Sequence, residues 1–204
     1  MSQKQQVTQP SDFIIDPSRD GVTNALWKAY TGALALAATT PDRFRFNADD
    51  AVVRADLLFG IVEFAVRFPL TGVQAVTNLV NDIAFGLKNQ SMGNLAKIDL
   101  FADKSENTLT FRTYDDCGTV QSTVIPWDTD WNGALTIFRF GWSDAHVSLD
   151  VLQAAGTAFT NLANHTTRVP LRALNPFVTV VGAENLDVDF IAIKNVQHSS
   201  IMLI

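Results

Sequence analysis

Gly60–Phe68 reads Gly-Ile-Val-Glu-Phe-Ala-Val-Arg-Phe, followed by Pro69. Val62, Phe64, Val66 and Phe68 fall on one side of a period-two repeat, and Ile61, Glu63, Ala65 and Arg67 on the other. Alternation of this kind specifies a strand with one face toward a core. Pro69 has no amide N–H to donate and ends the run. The same texture recurs at Arg43–Asn47, Val73–Leu87, Ala96–Ala102, Thr108–Tyr114, Thr119–Ile125, Leu135–Trp142, His146–Leu152, Arg168–Leu174, Phe177–Val181 and Leu186–Val196. Turn-forming clusters such as DKSEN, YDDCG, DTDWNG and GAEN separate these runs. Short strands at regular spacing, with no amphipathic helices between them, predict an all-β sandwich or barrel.

Composition supports a folded domain. Apolar residues make up 47% of the 204 and charged residues 18%, enough apolar surface to offset chain entropy. Asp and Glu outnumber Lys and Arg, 21 to 15, which argues against a nucleic-acid partner, since such modules carry basic footprints. No stretch reaches the ~18 apolar residues of a membrane span. Residues 1–11 (MSQKQQVTQPS) are polar and lack the apolar core of a secretory signal, so the expected setting is cytoplasmic or a virion. They read as an N-terminal arm ahead of a single domain at 12–204. Leu26–Ala38 is Ala-rich and apolar on more than one face. It reads as one short helix or as a strand pair interrupted at Gly32.

Three segments in order resemble the concanavalin A-like jelly roll of legume lectins, LamG-type modules and laminarinase-type glycoside hydrolases. Phe59–Pro69 is similar to an early G-x-x-E-x-x-x-x-x-P strand. Trp131–Trp142 resembles a segment in which a loop Trp precedes an F-R-F/I-x-W strand, and Leu186–Val196 a closing L-x-V-D-Y-I-x-I strand. The resemblance spans 43–196 and implies two antiparallel sheets. It implies no particular activity, because the fold hosts hydrolases, lectins, adhesion modules and viral proteins.

In the hydrolases the resemblance implies an E-x-D-x-x-E strand, since a retaining mechanism needs two carboxyl groups about 5–5.5 Å apart. This chain has three glutamates, Glu63, Glu106 and Glu184, and none has a second Glu five residues away. The expected strand, Leu135–Trp142 or His146–Leu152, offers Arg139, His146 and Asp150 instead. The expectation is a non-catalytic member.

Asp128, Asp130 and Asn132, with Gly133 at the sixth place, open like a calcium loop, but Arg139 stands where a bidentate Glu belongs. An Asx-rich hairpin turn is the preferred reading and an irregular Ca²⁺ site the alternative, with no cofactor expected. Trp127 and Trp131 flank this turn and form the candidate sugar-stacking pair, with Asp128, Asp130 and Asn132 supplying polar contacts. Trp142 reads as packing, and Trp27 and Tyr30 as pins for the N-terminal segment. His146, His165 and His198 lack metal-ligand spacing. Cys117 follows Asp115 and Asp116, which disfavour a thiolate. Thr157–Thr167 reads as a polar loop. Asp187 and Asp189 share a strand face and read as structural.

The chain ends Ile201-Met202-Leu203-Ile204, apolar where termini are usually polar, which nominates these four as an interface with like subunits. The leading expectation is a homo-oligomeric structural protein of a larger assembly, such as capsid decoration or a tail-associated module of a phage or virus. A carbohydrate-binding lectin-like module and a divergent glycoside hydrolase are the alternatives.

Overall fold

A computed structural model describes the backbone of residues 13–15, 27–31, 35–37, 40–46, 50–53, 57–89, 95–180, 186–194 and 197–198, and side chains mainly within 57–89, 95–180 and 186–194. The arm at 1–11 and the tail Ile201–Ile204 lie outside the described residues, as do the side chains of Trp27 and Tyr30. The strands are β1 (Phe13–Ile15), β2 (Trp27–Thr31), β3 (Ala35–Ala37), β4 (Thr40–Phe46), β5 (Asp50–Val53), β6 (Leu57–Leu58), β7 (Gly60–Arg67), β8 (Ile83–Lys88), β9 (Lys97–Asp103), β10 (Thr108–Tyr114), β11 (Val120–Pro126), β12 (Thr136–Trp142), β13 (Val147–Leu152), β14 (Thr160–His165), β15 (Asn175–Val180), β16 (Leu186–Lys194) and β17 (Gln197–His198). The only helices among the described residues are two 3₁₀ turns, Val76–Asn78 and Thr129–Trp131.

Two sheets form the sandwich. One runs β14-β13-β12-β7-β16-β4-β3, with β1 also on β16; the other runs β11-β10-β9-β8-β15-β5-β2. The strand pairs within them are antiparallel. The alternation of Gly60–Phe68 plays out as expected, with Val62, Phe64, Val66 and Phe68 all buried. They meet Phe85 and Phe111 of the facing sheet, and Phe138 and Phe140 of β12 join the same cluster. Ring centroids lie 5.5 Å apart for Phe64–Phe85 and 5.6 Å for Phe85–Phe138. Each buried ring contributes about 1.5–3 kcal/mol of transfer free energy.

Four expectations need correction. Of the two readings of Leu26–Ala38 the strands hold among the described residues: β2 and β3 lie on either side of Gly32, but they join different sheets rather than pairing with each other. Unfilled places at both sheet ends override the local helix propensity of Ala and Leu. Within Val73–Leu87 the strand begins only at Ile83, and Val73 is exposed. Arg168–Leu174 is no strand; Arg168 sits at φ +56°, and only Leu174 bridges to Leu57. The polar loop expected at Thr157–Thr167 contains β14, an end strand on which only Ala163 and His165 are buried, so its composition hides its conformation.

Candidate functional site

The Trp pair does not form a platform. The 3₁₀ turn carries Trp131 inward to 2% exposure, edge-on to Phe138 at 5.6 Å. Trp127 packs edge-on against Trp131 at 5.3 Å and Phe68 at 4.9 Å. Stacking on a sugar needs an open ring face, and Trp131 offers none. The polar residues between them hold the turn together. Asp128 accepts from the Asp130 N–H (2.9 Å) and from Gln153 Nε2 (2.6 Å). Asn132 accepts from Trp127 Nε1 (3.1 Å) and donates to the carbonyls of Gly72 and Gln74 (2.8 Å each).

The strands expected to carry catalytic acids, β12 and β13, lie in the eight-stranded sheet, where Arg139 directly faces Glu63 of β7. Arg139 Nε and Nη2 donate to Glu63 Oε1 (2.9 and 2.7 Å), and Lys194 Nζ donates to Oε2 (2.9 Å). Burial opposes the Glu63 charge, but these donors outweigh it and hold the carboxyl below its ordinary range. Farther along the same face, Asp187 receives a bidentate pair from Arg45 (2.7 and 2.9 Å), and Asp189 one from Arg67 (3.2 and 3.1 Å) with Arg43 at 3.5 Å.

A second acid-centred cluster occupies the outer face of the seven-stranded sheet. On β9, Ile98, Leu100 and Ala102 face the core, which sends Lys97, Asp99 and Phe101 outward. Arg112 of β10 stands directly opposite Asp99 and binds it through Nε (2.9 Å) and Nη2 (2.7 Å), while Lys97 Nζ lies 3.0 Å away. Asp99 is fully buried. The Arg112 guanidinium lies 4.2 Å from the Phe101 ring centroid, and the Lys97 ammonium 4.6 Å from that of Tyr114. Burial works against the Arg112 charge, yet Asp99 keeps its pKa above the ordinary value; burial also raises the Tyr114 phenol. On the other side of Asp99 stands Gly86, at φ +151°, where a Cβ would fall 2.2 Å from the Ile98 carbonyl oxygen. Only glycine lets β8 approach there. Phe101 and Tyr114 remain half-buried, so the face presents partly open rings beside fixed cationic donors.

β9 reads Lys97-Ile-Asp99-Leu-Phe101-Ala102 and contains no glutamate. Sequence patterning does not single out this cluster, because its acid is an aspartate whose partner arginine lies on the next strand. The signal was Lys97-Ile-Asp99-Leu-Phe101, an acid within an alternating strand, with Arg112 in the next one.

A cleft of about 490 Å³ opens where β7 meets β12, lined by Phe59, Gly60, Trp142, Ser143, Asp144 and His146 among others. Ser143 Oγ lies 3.0 Å from His146 Nδ1 but also accepts the N–H groups of Ala145 and His146. That is a turn-stabilising hydroxyl. Trp142 is buried and donates to the Pro170 carbonyl, as its packing role requires. His165 is buried between the sheets, its Nδ1 and Nε2 each 2.9 Å from a hydroxyl, those of Thr113 and Thr123. No group of three or more His, Cys, Asp or Glu among the described residues is arranged to hold a metal.

No family profile matches the chain, and no curated protein matches it by sequence. Solved structures do. A prokaryotic β-1,3-1,4-glucanase (lichenase) from a mouse hindgut metagenome superposes with a TM-score of 0.65 at 9% identity, covering 91% of this chain and 99% of that one. A Bacillus licheniformis β-glucanase gives 0.65 at 10%, covering 91% and 98%. The Ca²⁺-bound exoplasmic/lumenal domain of VIP36 gives 0.61 at 13%, covering 86% of each chain.

Proposed function

We propose that this concanavalin A-like jelly roll is a non-catalytic, lectin-like module that binds a carbohydrate on the outer face of its seven-stranded sheet. The observation that carries the reading is the cluster around Asp99. Phe101 and Tyr114 are half-buried, each with a cation over its ring, and Arg112 and Lys97 supply donors, whereas the central acid is sealed beneath its cations. A glycosidase acid must hold a proton near neutral pH, and its partner must reach the anomeric carbon. A buried carboxylate gripped by guanidinium and ammonium suits neither task. The likeness in fold to glucanases and a lectin supports a saccharide as ligand.

The test is binding to a glycan array, followed by titration of the best ligand. Tyr114→Ala weakens binding by about 1–3 kcal/mol, the scale of aromatic stacking on planar ligands. Silence across the array, or affinity unchanged in Tyr114→Ala, counts against the reading. New reducing ends from β-glucans, abolished in Asp99→Asn, would replace it with a hydrolase.

A structural subunit of a larger assembly, a phage or viral particle included, is the second reading. It is favoured by the exposed Val120 and Val124 on the end strand β11. Sedimentation tests it: the assembly is lost when Val120 and Val124 are replaced by Lys, and a chain monomeric throughout counts against it.

A further inference from the structure

The paths of the two large sheets end in four strands, three of them irregular; β1, which lies off the path on β16, is only three residues long. The register shifts between Leu149 and Asp150 where β13 meets β14, between Leu36 and Ala37 on β3, and between Ala29 and Thr31 on β2. Shifts of this kind bend an edge and spoil it as a template for another strand. β11 differs. Its seven residues pair with β10 in unbroken register, from Val120 opposite Tyr114 to Pro126 opposite Thr108. The sequence Val-Gln-Ser-Thr-Val-Ile-Pro carries no charge, and its proline comes last. Val120 and Val124 are 46% and 59% exposed, and both lie on the outer face with Ser122 between them. The inward residues are pinned: Thr123 to His165, and Gln121 to Thr167. Among the described residues this end is regular, uncharged and bears two exposed valines.

We propose that β11 pairs antiparallel with β11 of a second copy of this chain, about a two-fold axis through Ser122, joining two seven-stranded sheets edge to edge. Self-complementarity selects this occupant. With the axis at Ser122, Val120 faces the partner's Val124 and Val124 faces the partner's Val120, so both exposed valines gain an apolar cross-strand neighbour. Gln121 faces the partner's Thr123, and no charges oppose each other. Centring on Thr123 would set Val124 against the partner's Ser122 and Val120 against the partner's Pro126, which has no N–H to give. Registers that pair even with odd positions would place outward residues opposite inward ones. Val120 and Ser122 stand opposite Tyr114 and Arg112, so this edge borders the proposed carbohydrate face, but the pairing does not rest on that reading.

Sedimentation of the full chain over a range of concentrations reads the dimer. Val120→Lys/Val124→Lys sets like charges opposite each other twice and weakens association by about tenfold or more, with circular dichroism confirming the fold. Residues facing at such an axis have Cα atoms about 4.5–5.5 Å apart, within disulfide reach. Cys117 is exposed, so the cross-linking variant is Ser122→Cys with Cys117→Ser. It oxidises to a covalent dimer, whereas Ser105→Cys in the β9–β10 turn with Cys117→Ser does not. A chain monomeric at every concentration, a dimer indifferent to the two lysines, or cross-linking no better at 122 than at 105 overturns the proposal. Glycan titration of Val124→Lys alone keeps the two hypotheses apart, because Val124 stands opposite Thr110 rather than Arg112 or Tyr114 and binding there survives the loss of pairing.

Discussion

The two outer sheet faces use one device twice. Glu63 on β7 and Asp99 on β9 each point away from the core, yet both are buried. Each is gripped by an arginine directly opposite on the next strand and by one lysine. The difference lies on the third side. Lys194 reaches Glu63 from β16, so three strands are laced together. Asp99 has Gly86 on that side, and its lysine comes from its own strand. The first cluster is closed by charge across three strands, with Arg139 capped by Phe159 at 3.4 Å. The second is closed on one side by backbone approach and flanked by half-open Phe101 and Tyr114. A buried acid on a sheet face therefore reports the lacing of strands. The half-buried Phe101 and Tyr114 beside Asp99 are what the proposed carbohydrate site rests on.

The sharpest way to break this comparison is to remove each arginine. Arg112→Met leaves the fully buried Asp99 with Lys97 of its own strand as its one cation and costs about 3–5 kcal/mol in denaturant unfolding. Arg139→Met costs less, because Glu63 keeps Lys194 from a separate strand. Equal losses would show that the third side is irrelevant. Gly86→Ala forces β8 away from the β9 backbone and costs about 1–3 kcal/mol, measured by the same unfolding; a neutral result would remove the close-approach argument.

Acid separates the Glu63 cluster from the edge contact at His165. Burial depresses the His165 pKa below its ordinary 6.5. The unfolded chain therefore takes up the proton first, and stability present above about pH 6.5 declines as the pH falls through the folded value. His165→Gln flattens that decline. Glu63, also depressed when folded, contributes stability that is lost only below its ordinary 4.5, so the two windows are distinct in a pH-resolved melt. The smallest effect is expected at Lys194→Met, about 0–1 kcal/mol, because the lysine is 41% exposed and solvent screens it. A loss as large as that of Arg139→Met would show the ammonium to be the principal partner.

Much of the fold was legible in order along the chain. Gly60–Phe68 announced its buried face correctly, and the spacing of strands and turns marked an all-β sandwich. Asp187 and Asp189 were rightly read as structural. β14 was illegible because an end strand need bury only two residues. Trp131 takes the packing role that the resemblance implies, because its turn folds inward, which a tryptophan within a polar turn does not announce.

The residues alone determined which side chains share a strand face, since alternation is a local consequence of backbone geometry. They also determined that no two glutamates stand five residues apart. Only the tertiary structure decided which acid meets which base. Arg112 and Asp99 are thirteen residues apart and Glu63 and Lys194 one hundred and thirty-one, and register brings each pair together. It also decided which strand ends stay open. Cross-strand partners and burial depend on what folds against a residue from elsewhere in the chain, and period-two patterning carries no record of that.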